Sequence, residues 1–409
     1  MPVTALVRRL LLCAALAASA GLAAAKGTGT TAVPLVAVAA EVAAEGAKTR
    51  LSVTLSRPVP ARATVMERPD RVVIDLPEVN FQIPPEQARA RAGVIASFRA
   101  GGFVAGRSRI VIDLDRPALV SRVATEDRPD GASLLVIELT RTDRDPFRRQ
   151  AAADAAATLP TPAAATAEAA GDKRPVVVLD AGHGGVDPGA RTPAGVHEKE
   201  IVLAFAERLR RRLEERGRFR VVMTRADDVF VPLGERVRIA RAAKADLFVS
   251  IHADSISGQP QVRGLTVYTG SERATDAESE RLARRENEAD AAAGHDAAES
   301  ADDVADILRE LTLRETRGLS HAFARKLVSQ LEPVMNLNAN PHRQAGFRVL
   351  RAHDVPSVLV ELGYLSSKKD IDLLLSDEWR DRSTAAMVSA IERYFATRQA
   401  AGVGAPVSP

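Results

Sequence analysis

Three short apolar runs in the C-terminal half of the chain each lead to a side chain that can bind a metal or move a proton. The runs and their polar ends are 176–179 with His183, 247–251 with His252, and 357–360 with Glu361. Runs this short and rich in valine are typical of buried parallel strands. Because open α/β sheets place their ligands at the carboxyl ends of such strands, we expect these three side chains to meet at one edge of a sheet.

The segments between these runs carry helical patterns. Apolar residues recur every four positions at Ile201, Phe205, Leu209 and Leu213, as on the buried face of a helix. Further helices are predicted at 233–243, 303–331 and 379–397. This alternation of strands and helices predicts an α/β catalytic domain over residues 174–400, with a mixed or parallel sheet and helices on both faces.

Residues 33–141 have a different pattern, in which polar and apolar residues alternate over short stretches separated by turn residues. Such stretches are typical of a small all-β domain. The sequence Val-Ile-Asp-Leu occurs at both 73–76 and 111–114, which suggests a two-sheet sandwich with related halves. This region contains no constellation of catalytic residues.

The N-terminus has the pattern of a secretory signal over residues 1–25: Arg8-Arg9, then an uncharged apolar run, then three alanines. A transmembrane anchor is the alternative, but the run is shorter than the usual span of about 20 residues. The paired arginines are compatible with the twin-arginine route as well as the Sec route. We therefore expect a periplasmic protein with no stable membrane insertion after signal cleavage. Its single cysteine, Cys13, would be lost with the signal.

Composition limits the other possibilities. Residues 142–173 are rich in alanine, threonine and proline and are predicted to be a flexible linker, with a helix at 149–157 as the alternative. Hydrophobic residues make up 46% of the chain and charged residues 27%, which is typical of a globular protein. A net charge of +3 on 409 residues gives no indication of a nucleic-acid partner.

Two imidazoles and one carboxylate are a common zinc-binding set in hydrolases, in which the fourth position is left for water. His183 and His252 supply the imidazoles. The carboxylate is expected from Glu198 at the start of the first helix, with His197 or Glu200 as alternative third ligands. Each ligand also has a structural interpretation, as a hydrogen-bonding core histidine or as a first-turn acid favoured by the helix dipole.

Glu361 is left as the general base of this predicted zinc amide hydrolase. A carboxylate that directly follows a buried strand is costly to bury without a positive partner. For this reason Glu361 is harder to interpret as a purely structural residue than either histidine.

These residues belong to segments that together resemble zinc-dependent N-acetylmuramoyl-L-alanine amidases of the cell-division type (amidase_3). The segments are 178–190 (Val-Leu-Asp-Ala-Gly-His-Gly-Gly-Val-Asp-Pro-Gly-Ala), 198–199, 250–254, 344–347 and 360–366. The resemblance implies Zn²⁺ on His183, Glu198 and His252, with Glu361 as the catalytic glutamate. It also implies cleavage of the amide between N-acetylmuramic acid and L-alanine in peptidoglycan, for wall remodelling and daughter-cell separation. Residues 33–141 resemble the AMIN domain, which implies targeting to peptidoglycan.

The segment 271–303 interrupts the catalytic domain with eleven acidic residues against four arginines. It resembles a helical insertion that blocks the metal site until a LytM-type activator protein displaces it. We expect Glu280 or Glu286 to approach the open position of the zinc, and deletion of residues 271–301 to raise basal activity. A solvated surface helix is the alternative interpretation.

Two other functions remain open at this point. A non-catalytic peptidoglycan-binding regulator would require a degenerate site, whereas all four candidate residues are present. A zinc carboxypeptidase acting on stem peptides would need a cation to hold the terminal carboxylate of its substrate, and the many arginines neither demand nor exclude one.

Overall fold

The computed structural model describes residues 34–84, 86–157, 172–256, 258–259, 261–295 and 307–400. The predicted signal at 1–25 and residues 158–171 of the predicted linker lie outside these ranges. Within the described residues, no helix combines the length and apolar character that a membrane span requires.

Alternating apolar side chains in the N-terminal region form a β-sandwich, which confirms the predicted fold class. Its strands are β1 (Val36–Glu45), β2 (Lys48–Leu55), β3 (Arg62–Met66), β4 (Arg71–Pro77), β5 (Asn80–Phe81), β6 (Ile95–Phe103), β7 (Arg107–Leu114), β8 (Ala118–Asp127) and β9 (Ser133–Arg141). One sheet has the order β5-β1-β2-β9-β8, and the other contains β6-β7-β4-β3. Inward-facing aliphatic residues from both sheets, such as Leu51 and Ile110, form one buried core.

The repeated Val-Ile-Asp-Leu sequence does not mark related halves of the sandwich. Both copies lie in the same sheet, on the neighbouring antiparallel strands β4 and β7, where Val73 pairs with Val111. The repeat therefore reflects two central strands that share one environment, because the valine and isoleucine of each copy are buried and the aspartate is half-buried.

The prediction of a linker that begins at residue 142 is wrong. Helix α1 (Arg144–Ala157) follows the last strand of the sandwich, and Phe147 is fully buried in the sandwich core together with Ala151. The side chain of Asp154 also accepts a hydrogen bond of 2.7 Å from the backbone N–H of Val65. The alternative prediction, a helix at 149–157, has the right end, but the helix begins five residues earlier because Phe147 and, four positions later, Ala151 anchor it in the core.

The C-terminal region is an α/β domain, as predicted. Its strands are β10 (Val176–Ala181), β11 (Arg220–Met223), β12 (Val229–Phe230), β13 (Leu247–His252), β14 (Leu265–Gly270), β15 (Leu337–Ala345) and β16 (Ser357–Glu361). Its helices are α2 (Glu198–Glu215), α3 (Leu233–Ala242), α4 (Ala277–Asn287), α5 (Ala289–Ala292), α6 (Ile307–Leu331), α7 (Lys368–Leu374) and α8 (Asp377–Ala400).

The main sheet of this domain has the order β11-β10-β13-β16-β14-β15. The β14–β16 pair is antiparallel and the other pairs are parallel. Apolar residues of α2, α6 and α8 cover one face, and residues of α3 and α4 contribute to the core on the other. The carboxyl ends of β10, β13 and β16 therefore lie side by side at one edge.

The sandwich and the α/β domain share a sheet, which the sequence patterns did not predict. Strand β12 of the α/β domain pairs in parallel with β6 of the sandwich, with Phe230 opposite Phe103. Their rings stack with centroids 5.9 Å apart. In addition, Val186, three residues after His183, donates a backbone hydrogen bond of 3.3 Å to Gly102 of β6. The sandwich is thus attached directly beside one of the candidate metal ligands.

A buried ion pair supports the loop that carries His183. Arg236 of α3 donates to a carboxylate oxygen of Asp180 at 2.7 Å and to the carbonyl of His183 at 2.8 Å. Burial alone would raise the pKa of Asp180, but Arg236 and the hydroxyls of Thr224 and Ser250 lower it. Both charged groups are almost completely buried, so each depends on the other for compensation.

Replacing Arg236 by leucine would leave the Asp180 carboxylate buried without its cation. We expect the free energy of unfolding to fall by about 3–5 kcal/mol, as measured by urea denaturation of the full chain. The control is Arg238→Leu on the same helix, because Arg238 is half exposed and pairs with Glu235 at the surface. That variant should lose no more than about 1 kcal/mol. Equal losses in both variants would contradict the structural role of the buried pair.

Candidate active site

His183 lies two residues beyond the end of β10, in a turn that holds its backbone in a strained conformation. Its φ is 57°, a left-handed value that is uncommon for a residue with a side chain. The hydrogen bond from Arg236 to its carbonyl helps to hold this turn. Such strain persists only where surrounding contacts enforce it, and it is found frequently at functional sites.

His252 is the last residue of β13, the strand that neighbours β10. Its ring lies against Gly182, where a Cβ atom would be only 2.4 Å from the ring Nε2. Glycine at this position therefore allows the His252 ring to approach His183. The two ring centroids are 4.9 Å apart in an edge-on arrangement.

Glu198, the first residue of α2, reaches both imidazoles. One of its carboxylate oxygens lies 3.1 Å from His183 Nε2 and the other lies 3.2 Å from His252 Nδ1. Backbone N–H groups of Ala190 and Ala253 donate to the same carboxylate at 2.9 and 2.8 Å, so it is fixed in place and fully buried.

The alternative third ligands, His197 and Glu200, point elsewhere. They contact each other at 3.4 Å and are both substantially exposed, with 34% and 57% of their side chains accessible. Of these three candidates, the structure therefore brings only Glu198 to the histidines.

Glu361 ends β16 and lies directly opposite His252 in the parallel register of β13 and β16. The backbone N–H of Asp254 donates to its Oε2 at 3.0 Å. Its Oε1 is buried and has no hydrogen-bond partner within the part of the chain that the structure describes. Burial, together with the charges of Asp254 and Glu198, raises the pKa of Glu361 well above its usual range.

The distances between the two histidines and the carboxylates beside them fit a bound metal ion. His183, His252 and Glu286 each offer a ligand atom, and these atoms all lie within 4.8 Å of one another. Zinc bonds of about 2.0–2.1 Å in a tetrahedral site separate the ligand atoms by about 3.3 Å, close to the 3.1 and 3.2 Å contacts of Glu198. Moreover, the buried Nε2 of His183 makes no hydrogen bond of suitable geometry among the described residues, although Glu198 Oε2 lies 3.1 Å away.

The charge of the site also calls for a cation. Five buried carboxylates surround the two histidines: Asp187, Glu198, Asp254, Glu286 and Glu361. Burial, Glu286 and Glu198 together raise the pKa of Asp254 to about 7. Burial lowers the pKa of His183, but neighbouring carboxylates outweigh it and raise the pKa well above the usual value. Negative charge this concentrated is stabilised by a proton or by a bound divalent cation.

Asp187 orients His183, a role that sequence analysis did not assign. Its Oδ2 lies 2.9 Å from His183 Nδ1, which directs the opposite ring nitrogen, Nε2, toward Glu198 and Glu286. Carboxylates that bind the second nitrogen of a metal-binding histidine are common around metal sites. The available signal was an aspartate four residues after the histidine, in the same glycine-rich loop.

Helix α4, in the insertion, covers the site. Glu286 Oε2 lies 3.3 Å from His252 Nδ1 and 3.7 Å from His183 Nε2, and Arg285 forms an ion pair with Asp254. The remaining cavity beside the histidines measures ≈ 10 Å³, about the minimum that one water molecule needs. Glu280, the other candidate, is 66% exposed and pairs at 3.6 Å with Arg284 instead.

Comparison with known proteins gives two family matches. Residues 177–393 match Amidase_3, described as N-acetylmuramoyl-L-alanine amidase. Residues 39–138 match the AMIN domain. The first match contains every candidate catalytic and metal-binding residue, and the second lies within the β-sandwich.

Individual relatives cover most of the chain. The N-acetylmuramoyl-L-alanine amidase AmiC of Neisseria meningitidis is 33% identical over 373 residues, which are 85% of this chain and 87% of the relative. AmiC of Escherichia coli is 31% identical over 386 residues, 88% of this chain and 89% of the relative. Among solved structures, the amidase AmiC2 of Nostoc punctiforme is 28% identical and has a TM-score of 0.40, covering 55% of this chain and 99% of its own.

Replacing Asp187 by asparagine should weaken metal binding while leaving the ligands in place. We expect the affinity for Zn²⁺ to fall about 10- to 100-fold, the usual effect of removing such an orienting carboxylate. Competition with a chromophoric chelator measures this affinity. The control is Asp227→Asn, an exposed aspartate in the loop before β12, which should bind Zn²⁺ as the parent does. Equal affinities for the parent and the Asp187 variant would rule out the orienting role.

Proposed function

This chain belongs to the Amidase_3 family of N-acetylmuramoyl-L-alanine amidases, and from this premise we propose how it binds its metal, performs its reaction and is controlled. It is a hydrolase of the amide between N-acetylmuramic acid and L-alanine in peptidoglycan. We propose that the metal is zinc and that His183, Glu198 and His252 hold it. The observation that carries this assignment is the convergence of both imidazoles on one fixed, fully buried carboxylate.

The donor set favours zinc because two nitrogen ligands and one carboxylate are a common catalytic combination for this ion. Zinc in such a site supplies Lewis acidity, which makes water more acidic and polarises a carbonyl group. Asp187 would keep the His183 Nε2 directed at the ion. The backbone N–H groups of Ala190 and Ala253 would keep Glu198 in position.

Glu361 is proposed to move the protons. Its raised pKa makes the carboxylate a stronger base, which suits a group that accepts a proton from the attacking water and returns one to the departing L-alanine nitrogen. The hydrogen bond from the Asp254 N–H to Oε2 would fix the carboxylate while Oε1 stays free to act. The register of β13 and β16 places this group beside the ligand His252.

We further propose that the chain is autoinhibited. Glu286 reaches the position beside both histidines that a substrate carbonyl and water would need, and the cavity left there is far too small for a peptidoglycan strand. The ion pair between Arg285 and Asp254 gives helix α4 a second attachment at the site. A LytM-type activator is proposed to displace this helix.

The place of action follows from the substrate, because peptidoglycan is the cell wall. We propose that residues 1–25 direct export, by the Sec or twin-arginine route, and that the mature enzyme works in the periplasm in wall remodelling and daughter-cell separation. The AMIN match supports a role for the β-sandwich in binding the wall.

Glu361→Gln should abolish most turnover without loss of metal. We expect stem-peptide release to fall by about 10²- to 10⁴-fold, since the variant lacks its acid–base group, while the zinc content stays at the parental level. The measurement is mass spectrometry of peptides released from isolated peptidoglycan. Glu378→Gln, on the exposed first turn of α8, is the control and should retain the parental rate.

The same products test the reaction itself. Free stem peptides that begin with L-alanine, with intact sugar chains, are expected. Release of terminal amino acids alone would instead identify a carboxypeptidase. No release from zinc-loaded protein, even when Arg285 and Glu286 are replaced, would identify a binding protein.

The double variant Arg285→Ala/Glu286→Ala should raise basal activity, because it removes both contacts of α4 with the site. We expect an increase of about tenfold or more, the factor for a segment that covers the site about nine-tenths of the time. Glu280→Ala/Arg284→Ala alters an exposed ion pair on the same helix and should leave the basal rate unchanged. Activation by this second pair instead would place the inhibitory contact at Glu280.

A further inference from the structure

The β-sandwich presents three arginines toward the α/β domain from one face of the sheet that contains β3, β4, β7 and β6. We call this set, Arg71, Arg99 and Arg109, the arginine face. Arg71 and Arg99 bind the carboxylate of Asp113 at 2.6 and 3.3 Å, and Arg109 binds that of Asp75 at 2.7 Å. Each guanidinium is therefore held in place within the sandwich while further N–H groups remain free to bind elsewhere.

Those N–H groups bind residues 291–294, which follow the helix α4 that covers the active site. Arg71 donates to the carbonyl of Ala291. The other two contacts are from Arg99 to the carbonyl of Ala292 at 2.7 Å and from Arg109 to the carbonyl of Gly294 at 2.6 Å. Carbonyls at the end of a helix lack partners within that helix, so charged donors satisfy them well; the Ala291 carbonyl also accepts from the backbone N–H of Gly294 at 3.0 Å.

Apolar packing reinforces these hydrogen bonds. Gly294 has a φ of 65° and lies so close to the sheet that a Cβ atom there would be 2.5 Å from a methyl group of Val73. Ala293 and Val111 beside it are fully buried. The sandwich thus contacts residues 291–294 through a fitted surface, not through the arginines alone.

This contact is close to Glu286 along the chain. Helix α5 begins two residues after α4 ends, and Asn287 between Glu286 and α5 exchanges hydrogen bonds of 2.7 and 2.8 Å with the backbone of Arg348 and Gly346. Asp290 accepts a hydrogen bond of 2.8 Å from the first backbone N–H of α3. These contacts attach residues 287 and 290 to the α/β domain, and the arginine face adds a further attachment to the same short segment, five residues beyond Glu286.

We propose that the arginine face is the docking surface for residues 291–294 of the insertion, and that the β-sandwich thereby helps to hold Glu286 over the active site. The proposal rests on the autoinhibition proposed above. It gives the N-terminal domain a second function beside wall binding, because an attached sandwich keeps the enzyme inactive and a detached one releases it.

The test changes each side of the contact separately. Arg71→Gln/Arg99→Gln/Arg109→Gln alters the sandwich, and Gly294→Val alters the segment without touching an arginine. The control, Arg50→Gln/Arg122→Gln/Arg144→Gln, replaces three sandwich arginines that also pair with carboxylates. Circular dichroism confirms folding. Hydrogen exchange of residues 277–295 and stem-peptide release without activator are then measured for every zinc-loaded protein.

Loss of charge-assisted hydrogen bonds should shift the closed segment toward the open form by about tenfold or more. We expect both test variants to exchange faster in residues 277–295 and to release stem peptides faster, with the control unchanged. Unaltered exchange in the segment would overturn the docking. Faster exchange without faster release would overturn the claim that docking holds Glu286 in place.

The Arg285→Ala/Glu286→Ala protein separates this proposal from the one on which it rests. If that protein is active without activator and the arginine variant is not, the docking proposal fails and autoinhibition stands. If that protein releases stem peptides at the same measurable rate as the parent, autoinhibition fails, and the docking proposal fails with it even where exchange has increased. No release from either protein would instead refute the amidase activity itself.

Discussion

The accumulation of negative charge at the ends of β10, β13 and β16 is the constraint on which the rest of this structure depends. Five carboxylates lie buried around two histidines, and that arrangement is stable only with positive charge nearby. A divalent cation is one source, and Arg285, paired with Asp254, is another. A bound cation and Arg285 of the inserted helix would thus compensate the same excess of negative charge, and the Arg285–Asp254 pair explains how an insertion with a net negative charge is held against an acidic site.

The sequence was sufficient to predict much of this site. A polar residue that ends a buried strand has few structural explanations, so His183, His252 and Glu361 could be singled out, and the structure brings them together with Glu198. Their catalytic and metal-binding roles remain predictions. Sequence analysis left open whether Glu280 or Glu286 approaches the metal site, although their positions on the helix distinguish them. Glu286 follows Leu282 by four residues and shares its buried face, whereas Glu280 lies on the opposite, exposed side.

The contacts between the sandwich and the α/β domain could not be predicted from the sequence, because they join short segments that are far apart in the chain. Strand β12 has only two residues, too few to show an alternating pattern, and its partner β6 lies more than a hundred residues earlier in the chain. The arginine face is equally hidden, because Arg71 and Arg109 come from separate strands and reach one face of the sheet, each beside an aspartate, only through the register of β4 and β7. Helix α1 was predicted only as an alternative and only from residue 149, because its first turns are anchored by a single buried phenylalanine, Phe147, and not by a repeated apolar pattern.

Coupling between the sandwich and the site must act in both directions. If the docked sandwich stabilises the closed position of Glu286, then the closed segment stabilises the docked sandwich by the same free energy. Any ligand that binds the undocked sandwich more tightly would therefore favour an open site, and displacement of the segment by an activator would loosen the sandwich. The β-sandwich and an activator would then shift one equilibrium, in which the arginine–carbonyl contacts of residues 291–294 and the contacts of Glu286 with the histidines form or break together.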